Sequence, residues 1–460
     1  MLYLLRPTGV KALTAVAFLN AFVDLGHKVT LQNTVFKVFD GPEQIALSGL
    51  INALILLPFV MLLSPAGFLS DRFSKTLVLR RTAALAVPIS LALTVCYYLG
   101  WFYPALGLTF ALALQSAIYA PAKLGTLRQL VGTAALVGTN GLLQAATTAA
   151  ILLSMMVFSF GFEFLVDPHL WGDPRAILRS AAPLGWILVA GTVAEYLLTR
   201  RLPILEDGNP ALSFDFGRYR RGIYLREALS SVWQRPVLRL SVIGLAVFWS
   251  IAQVLVAVYP AFAESFLGMS NVAIIQLIMA AASVGVCLGA LLTAGLSRGH
   301  VETGLIPLGA GGVALSLALL SVTPEIHIQA LLFGALGLSG ALFIVPLNAL
   351  VQFHAAPEAL GRTLAASGFL NHLLMLAFLA LTVLFALLGF GDRLLLALLT
   401  IVAIGGAVYT VSKLPQSLVR LGIARAFAFR YRLRVIGIEQ IPRAGGVLLL
   451  GNHVSWIDWA

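Results

Sequence analysis

Cysteine is nearly absent from this sequence, and charged residues are scarce. The 460 residues include 2 cysteines, and 11% are Asp, Glu, Lys or Arg, against about 25% in ordinary soluble domains. Cys96 and Cys287 each stand alone inside an apolar run, which excludes a disulfide framework and a cysteine-based metal site. With 60% hydrophobic residues, the scarcity of charge also excludes a water-soluble globular domain, because one core cannot hide so much apolar surface.

Long apolar runs fill most of the chain and have the length of membrane-spanning helices. A helix needs about 20 apolar residues to cross the hydrocarbon of a bilayer. The predicted spans lie near residues 11–36, 44–69, 79–100, 103–122, 136–162, 180–199, 237–265, 270–297, 303–323, 326–352, 361–389 and 391–412. The sequence therefore predicts an all-α membrane protein with twelve transmembrane helices, and no removable signal peptide before the first of them.

Basic residues account for the net charge of +11, and most of them lie between the spans on one side. If the N-terminus is cytoplasmic, the outside connections hold only four of the 30 basic residues, while Lys28 lies inside a span. This distribution follows the positive-inside rule and predicts a membrane protein with both termini in the cytoplasm. It also explains the basic balance without nucleic acid as a partner.

The longest connection divides the twelve spans into two sets of six. Residues 201–236 are polar, basic and contain proline, so they cannot themselves cross a membrane. We therefore expect two six-helix halves, 1–200 and 237–412, joined by this central loop and followed by a basic tail at 413–460.

A glycine, three residues, an aspartate and then basic residues follow the second span, in the sequence GFLSDRFSK from Gly67 to Lys75. This stretch resembles the loop motif of the major facilitator superfamily, with Ser74 in place of the usual glycine. The resemblance implies that superfamily's fold and a charge latch, formed by Gly67, Asp71 and Arg72, that meets helix ends of the opposite half. A short basic loop that only obeys the positive-inside rule is the alternative.

The first span contains the most costly residues in the sequence. Asp24, His27 and Lys28 lie near the middle of the bilayer, where each charge costs about 2.5 to 3.5 kcal/mol. Their spacings of three and four predict one polar helical face on which Asp24 pairs with Lys28. Such a patch suits the binding of a polar or zwitterionic head group, or proton exchange at Asp24. An ion pair that only fixes helix packing is the alternative.

Three segments together narrow the resemblance to one family. They are residues 21–24 (AFVD), 120–125 (APAKLG) and 140–145 (NGLLQA). They look like segments of the bacterial lysophospholipid transporter family, except that Leu25 and Gln144 stand where asparagine and glutamate are expected.

This family resemblance implies a substrate and two functional positions. The substrate is a lysophospholipid such as lysophosphatidylethanolamine, moved inward for reacylation, and the positions are Asp24 and Lys123. From its place near the end of a span, Lys123 either binds a phosphate or snorkels to the membrane surface. Other polar residues in the spans, such as Glu195, are scattered, and we expect them to make packing hydrogen bonds.

The composition changes after the last span. Residues 416–431 are basic and amphipathic, which is typical of a segment at an anionic membrane surface. The apolar residues 447–450 then lead into GNHVSWID, residues 451–458, which resembles the opening block of the glycerolipid acyltransferase family. The resemblance implies the start of an α/β acyltransferase domain, with His453 as general base and Asp458 as its orienting partner. An incidental polar tail is the alternative.

The resemblance to an acyltransferase implies a fusion whose acyl donor is acyl carrier protein or acyl-CoA. Because the sequence ends at Ala460, two residues after Asp458, catalysis by these residues alone is not expected. The leading hypothesis is a lysophospholipid transporter that needs no cofactor or metal and delivers its cargo to an acyltransferase. The alternatives are an acyltransferase whose helices serve only as anchor and gate, and a facilitator-type drug or metabolite exporter.

Overall fold

The computed structural model describes residues 8–39, 41–133, 135–205, 208–269, 272–297 and 300–430. Within these ranges the chain forms seventeen α-helices and no strand. The helices are α1 (Thr8–Val38), α2 (Gly41–Met61), α3 (Leu63–Arg72), α4 (Lys75–Leu99), α5 (Phe102–Val131), α6 (Leu136–Leu165), α7 (Pro174–Ser180), α8 (Pro183–Thr199), α9 (Phe216–Arg220), α10 (Ile223–Trp233), α11 (Pro236–Leu267), α12 (Val272–Leu296), α13 (Leu305–Leu320), α14 (Ile326–His354), α15 (Leu360–Leu387), α16 (Asp392–Lys413) and α17 (Pro415–Arg430). His453 and Asp458, the predicted acyltransferase pair, lie outside the described residues.

The described ranges contain nine to eleven helical segments that can cross a membrane. Nine single helices are long and apolar enough to span a bilayer. Two bent pairs, α2 with α3 at 54° and α7 with α8 at 56°, bring the number of spans to eleven if each pair is one span, and α13 is a shorter apolar helix. Helices are the expected form, because backbone groups inside lipid must find their hydrogen-bond partners within the chain. The predicted all-α membrane architecture is confirmed for the described residues.

The fourth crossing, α5, is longer than predicted. The sequence suggested an end near residue 122, just after Pro121, but the helix continues to Val131 and ends at Gly132, whose φ is +63°. Proline removes only one backbone donor, and the end of α5 is held by Arg128, which donates to the Ala355 carbonyl, and by Gly125, which lies close to Leu360 of α15. Lys123 therefore lies inside a helix, two turns before its end.

The break between α2 and α3 has a specific cause and a specific partner. Pro65 has no backbone N–H, so the Met61 carbonyl one turn earlier loses its helical donor. The hydroxyl of Tyr219, in the central loop, donates a hydrogen bond to that carbonyl at 3.1 Å. The central loop thus supplies the hydrogen bond that the proline removes.

The helices form two halves, α1 to α8 and α11 to α16, with α9 and α10 in the central loop. Gly9 at the start of α1 lies against Leu130 near the end of α5 and Pro203 after the end of α8. We call the end of the bundle that carries these residues and the central loop the central-loop face. In the second half, α12 packs closely on α14, because a Cβ atom on Gly285 would lie 1.9 Å from the Gly334 carbonyl oxygen.

The basic amphipathic segment after the last span forms helix α17, which is docked on the second half. Leu421 is buried and packs with Leu305 and Leu342 of α13 and α14. The hydroxyl of Thr303 donates to the hydroxyl of Ser417 at 2.9 Å. Hence α17 is attached to α13 and α14 by apolar contacts and to the loop between α12 and α13 by a polar contact.

Glu302 in that loop provides the charged part of the attachment. Its carboxylate forms an ion pair with Arg420 of α17 at 3.1 Å, bonds His300 at 3.1 Å and accepts from the Gly304 amide at 3.3 Å. Burial acts to raise the pKa of Glu302, but these hydrogen bonds and the Arg420 charge outweigh burial and hold the pKa below its ordinary value of 4.5. The docking of α17 therefore depends on an ionised Glu302.

We predict that the Glu302→Gln variant loosens α17 at neutral pH, because the ion pair with Arg420 is lost. Since the pKa is lower in the folded protein, the stabilisation is complete above pH 4.5 and is lost as the pH falls below that value. The protection factors for amide hydrogen exchange of residues 417–425 should fall in the variant at pH 7, and in the unaltered protein only on acidification. Glu325→Gln, at an exposed acid before α14, is the control. Equal exchange in the two variants would contradict the prediction.

Candidate functional site

Helix α1 has one half-buried face and one buried face. The half-buried positions recur every three or four residues, at Phe18, Ala21, Leu25, Lys28 and Gln32. Helix α1 lies between α2, which contacts α15 of the other half, and α6, which contacts α12 of the other half. Helix α1, with its half-buried stripe, therefore lies next to the two helices of the first half that meet the second half.

His27 does not belong to this stripe. It is 1% exposed, and its ring nitrogens bond the hydroxyls of Tyr97 at 2.7 Å and Thr109 at 2.8 Å, both within the first half. Residues 27 and 28 are separated by about 100° around the helix, so one narrow face cannot hold both. The expected common face of Asp24, His27 and Lys28 is wrong for His27, which ties α1 to α4 and α5.

Asp24 lies at the border of the stripe and is held by α5. One carboxylate oxygen accepts a hydrogen bond from the Ser116 hydroxyl at 2.6 Å, while the other has no hydrogen-bond partner among the described residues. The cation that interacts with Asp24 electrostatically is Lys123, about two turns after Ser116 along α5. The predicted pair of Asp24 with Lys28 is not found in the described part of the chain.

Further polar side chains join Asp24 inside the first half. Glu195 of α8 is 1% exposed, lies beside Asn20 and interacts electrostatically with both Asp24 and Lys123. The Lys123 ammonium lies 5.4 Å from the centre of the Tyr119 ring. The resulting buried polar cluster comprises Asn20, Asp24, Gln115, Ser116, Tyr119, Lys123 and Glu195.

Several atoms of the buried polar cluster are left unpaired. Among the described residues, these are the second oxygen of Asp24, the Gln115 amide nitrogen, the Tyr119 hydroxyl and both oxygens of Glu195. Two carboxylates and one ammonium with spare hydrogen-bonding capacity can hold a zwitterionic group or a proton. Nowhere in the described ranges do three His, Cys, Asp or Glu side chains come together as a metal ion would need.

Sequence reasoning did not place Glu195 in this cluster and treated it as a scattered packing residue. The structure brings it next to Asp24 and Lys123, from a helix that is distant in sequence. A signal was available, because an acid inside a span is costly enough to indicate a functional position by itself.

A second constellation lies at the central-loop face, where α3 meets α15. The Asp71 carboxylate accepts hydrogen bonds from the backbone amides of Gly361 at 2.6 Å and Arg362 at 2.9 Å, the first turn of α15. Gly67 permits this approach, since a Cβ atom there would lie 2.9 Å from the Arg362 Cα. An anion at a helix N-terminus also interacts favourably with the helix dipole.

Arg72 has a different partner from the one expected. Its guanidinium bonds the Leu212 carbonyl of the central loop, not a helix end of the opposite half. The adjacent Asn209 amide donates to the Asp71 carbonyl oxygen at 2.9 Å. Of the three latch residues, Gly67 and Asp71 therefore meet the second half, while Arg72 fastens the central loop.

Other contacts also join the two halves near this face. Arg128 of α5 donates to the Ala355 carbonyl at 2.9 Å, and the Gln352 amide donates to the Asn140 side-chain oxygen at 2.8 Å. On the adjacent side, a Cβ atom on Gly141 of α6 would lie 2.5 Å from the Ala290 carbonyl oxygen of α12. The structure is therefore closed at the central-loop face.

We predict that His27→Phe lowers stability, because Tyr97 and Thr109 each lose a buried partner. An unsatisfied buried hydroxyl costs about 1 to 3 kcal/mol. The midpoint of thermal unfolding, followed by intrinsic fluorescence in detergent, should fall clearly. His169→Phe, at an exposed turn between α6 and α7, is the matched control and should leave the midpoint unchanged. An unchanged midpoint in His27→Phe would show that the two hydrogen bonds contribute nothing.

Curated bacterial proteins resemble this chain over most of its length. The lysophospholipid transporter LplT of Escherichia coli strain SE11 is 28% identical over 348 residues, which covers 75% of this chain and 80% of the relative. LplT of Serratia proteamaculans strain 568 is 30% identical over 300 residues, covering 65% of this chain and 68% of the relative. No protein-family model matches the chain.

Solved structures with the same arrangement of helices are transporters of the major facilitator superfamily. FucP in its outward conformation superposes with a TM-score of 0.68 at 13% identity, covering 87% of this chain and 98% of FucP. A bacterial homologue of the iron transporter ferroportin, in an outward-facing state, gives a TM-score of 0.66 at 14% identity, with 90% and 99% covered. These likenesses establish the fold of the chain.

Proposed function

This chain belongs to the lysophospholipid transporter family, within the major facilitator fold, and we propose that it carries lysophospholipids across a bacterial inner membrane. The observation that carries the proposal is the buried polar cluster beside the half-buried stripe of α1. Charged groups in the middle of a membrane are costly, and they persist where they serve a polar cargo or a polar path. A lysophospholipid combines such a head group with one acyl chain.

In this proposal the head group lies between the halves against α1. Asp24 has one carboxylate oxygen without a partner among the described residues. This oxygen accepts a hydrogen bond from the ammonium of a phosphatidylethanolamine-type head group. Lys28 lies on the stripe one turn further along α1, and its ammonium has no ion pair within the described ranges. It binds the phosphate of the head group. Lys123 and Glu195 interact electrostatically with Asp24 from α5 and α8, while His27 supports the helix.

The central-loop face is the cytoplasmic side in this proposal, as the positive-inside rule predicts. The structure then corresponds to a state open to the opposite side of the membrane. Asp71 acts as a latch, because its carboxylate holds the N-terminus of α15 only while the two halves are closed at the cytoplasm. Release of Asp71 from Gly361 and Arg362 accompanies the change to the inward-open state.

Delivery to an acyltransferase is a further part of the proposal. It is supported by the resemblance of residues 451–458 to the opening block of glycerolipid acyltransferases, with His453 and Asp458 in the roles of base and orienting carboxylate. Acyl carrier protein or acyl-CoA is then the acyl donor. The coding sequence downstream of residue 460 tests this part, since further acyltransferase blocks are expected there.

Transport is tested in vesicles that carry fluorescent lysophosphatidylethanolamine in one leaflet, with albumin extraction to measure the lipid that has moved. The reconstituted protein should exceed empty vesicles. Asp24→Asn should slow transport about ten- to a hundredfold, because a hydrogen bond to a charged group contributes about 1.5 to 3 kcal/mol.

The matched control for Asp24→Asn is Asp173→Asn, which makes the same change at an exposed helix cap before α7. This control should move lipid at the unaltered rate. Movement equal to that in empty vesicles would remove the transport proposal and favour a membrane anchor for an enzyme. Full activity of Asp24→Asn would instead assign Asp24 to helix packing.

The latch is tested with Asp71→Asn, which keeps the shape of the side chain but removes its charge. A carboxylate at a helix N-terminus contributes about 0.3 to 2 kcal/mol. The equilibrium constant for opening at the central-loop face should therefore increase about two- to thirtyfold. Double electron–electron resonance measures the distance between spin labels at positions 201 and 416, and this distance reports the opening. The labels are attached in a background without the native cysteines. Asp215→Asn, at the cap of α9, is the control. An unchanged distance distribution in Asp71→Asn would refute the latch.

A further inference from the structure

A separate cavity lies entirely inside the second half. It has a volume of about 300 Å³ and is enclosed by α11, α13, α14 and α16, close to the central-loop face. Its wall is almost wholly apolar, with Gly244, Ala310, Phe343 and Gly406 from the four helices. We call this cavity the C-half crevice.

The C-half crevice opens sideways, between α11 and α16. The residues along this opening are uncovered: Ile243 is 40% exposed, Val402 is 36% exposed and Tyr409 is 49% exposed. In a membrane this side of the bundle meets lipid. An apolar cavity left empty loses the dispersion contacts of its wall, so a lipid chain is the natural occupant.

The end of the crevice nearest the central-loop face is polar and positively charged. Lys413 and Thr410 lie there at the end of α16, with Ser241 at the start of α11. The Lys413 ammonium lies 5.6 Å from the centre of the Tyr409 ring, and no acid within the described ranges forms an ion pair with it. A cation at the membrane surface beside an apolar slot complements a phosphate attached to an acyl chain.

We propose that the C-half crevice binds one acyl chain of a diacyl phospholipid from the leaflet at the central-loop face, with the lipid phosphate at Lys413. The bound lipid is a resident of the protein and not its cargo. All four enclosing helices belong to the same half, so the crevice keeps its shape when the two halves move. A cargo that crosses the membrane has to pass between the halves, where the crevice does not lie.

Two neighbouring glycines of α16 provide a matched pair of variants. A Cβ atom on either Gly405 or Gly406 would meet no other atom within 4 Å. Gly406 lines the crevice, whereas Gly405 is exposed outside it. A phenylalanine at residue 406 should fill the crevice, while the same substitution at residue 405 should project into lipid and leave it open.

The test uses the full chain in nanodiscs and a photoactivatable phosphatidylglycerol with a diazirine in one acyl chain. Cross-links are mapped by mass spectrometry to peptides of α11 and α16. Labelling should saturate with added probe, fall to background in Gly406→Phe and persist in Gly405→Phe. Lys413→Gln should weaken labelling about fivefold, as expected for one basic residue at a membrane surface.

Opposite outcomes are equally definite. Equal labelling of Gly406→Phe and Gly405→Phe, or labelling that never saturates, would overturn the proposal. Labelling by a diazirine lysophosphatidylethanolamine in place of the diacyl probe would make the crevice part of the cargo path. If Gly406→Phe elutes as aggregate, Gly406→Leu and competition by unlabelled phosphatidylglycerol give the same decision. Cross-linking needs no transport, so its result is independent of the vesicle assay.

Discussion

A polar atom inside a bilayer has no water with which to form hydrogen bonds, so it needs a partner within the protein or in a ligand. The two halves differ in how many such polar atoms they bury. The first half gathers two acids and one lysine from α1, α5 and α8 into one cluster that is only partly satisfied by its own hydrogen bonds. The second half has no comparable cluster in its described residues and contains an apolar crevice instead. The costly buried polar groups of the described spans are thus concentrated in the first half.

Closure at the central-loop face is achieved mainly by the ends of helices. Asp71 accepts hydrogen bonds from two amides at the start of α15, and Arg128 donates one to a carbonyl just beyond the end of α14. These backbone groups are unsatisfied by the helices themselves, so a side chain of the opposite half can bond them without breaking secondary structure. Such contacts can be released and remade as rigid helices move, which suits an alternating transporter.

The sequence predicted the crossings well, because apolar length is a direct consequence of bilayer thickness. It also identified Asp24, Lys123 and Asp71 as unusual residues. It failed where the answer depends on which helices are neighbours: Glu195 joins Asp24 from α8, and His27 turns away from Lys28. Helix spacing gives the direction of a side chain around its own axis, but only the packed bundle decides what lies in that direction. Similarly, the end of α5 depends on its contacts with the second half, not on Pro121 alone.

The hydrogen bond from Tyr219 to the carbonyl exposed by Pro65 gives the central loop a mechanical role. A connection between two moving halves of a protein is usually regarded as a flexible linker, whose length and sequence matter little. Here Tyr219 of the central loop is hydrogen-bonded to Met61 at the break between α2 and α3. The bend of the second crossing and the course of the loop are therefore set together. Reporter proteins inserted beside Tyr219 would therefore disturb the angle of the second crossing, even though the insertion site lies outside the membrane.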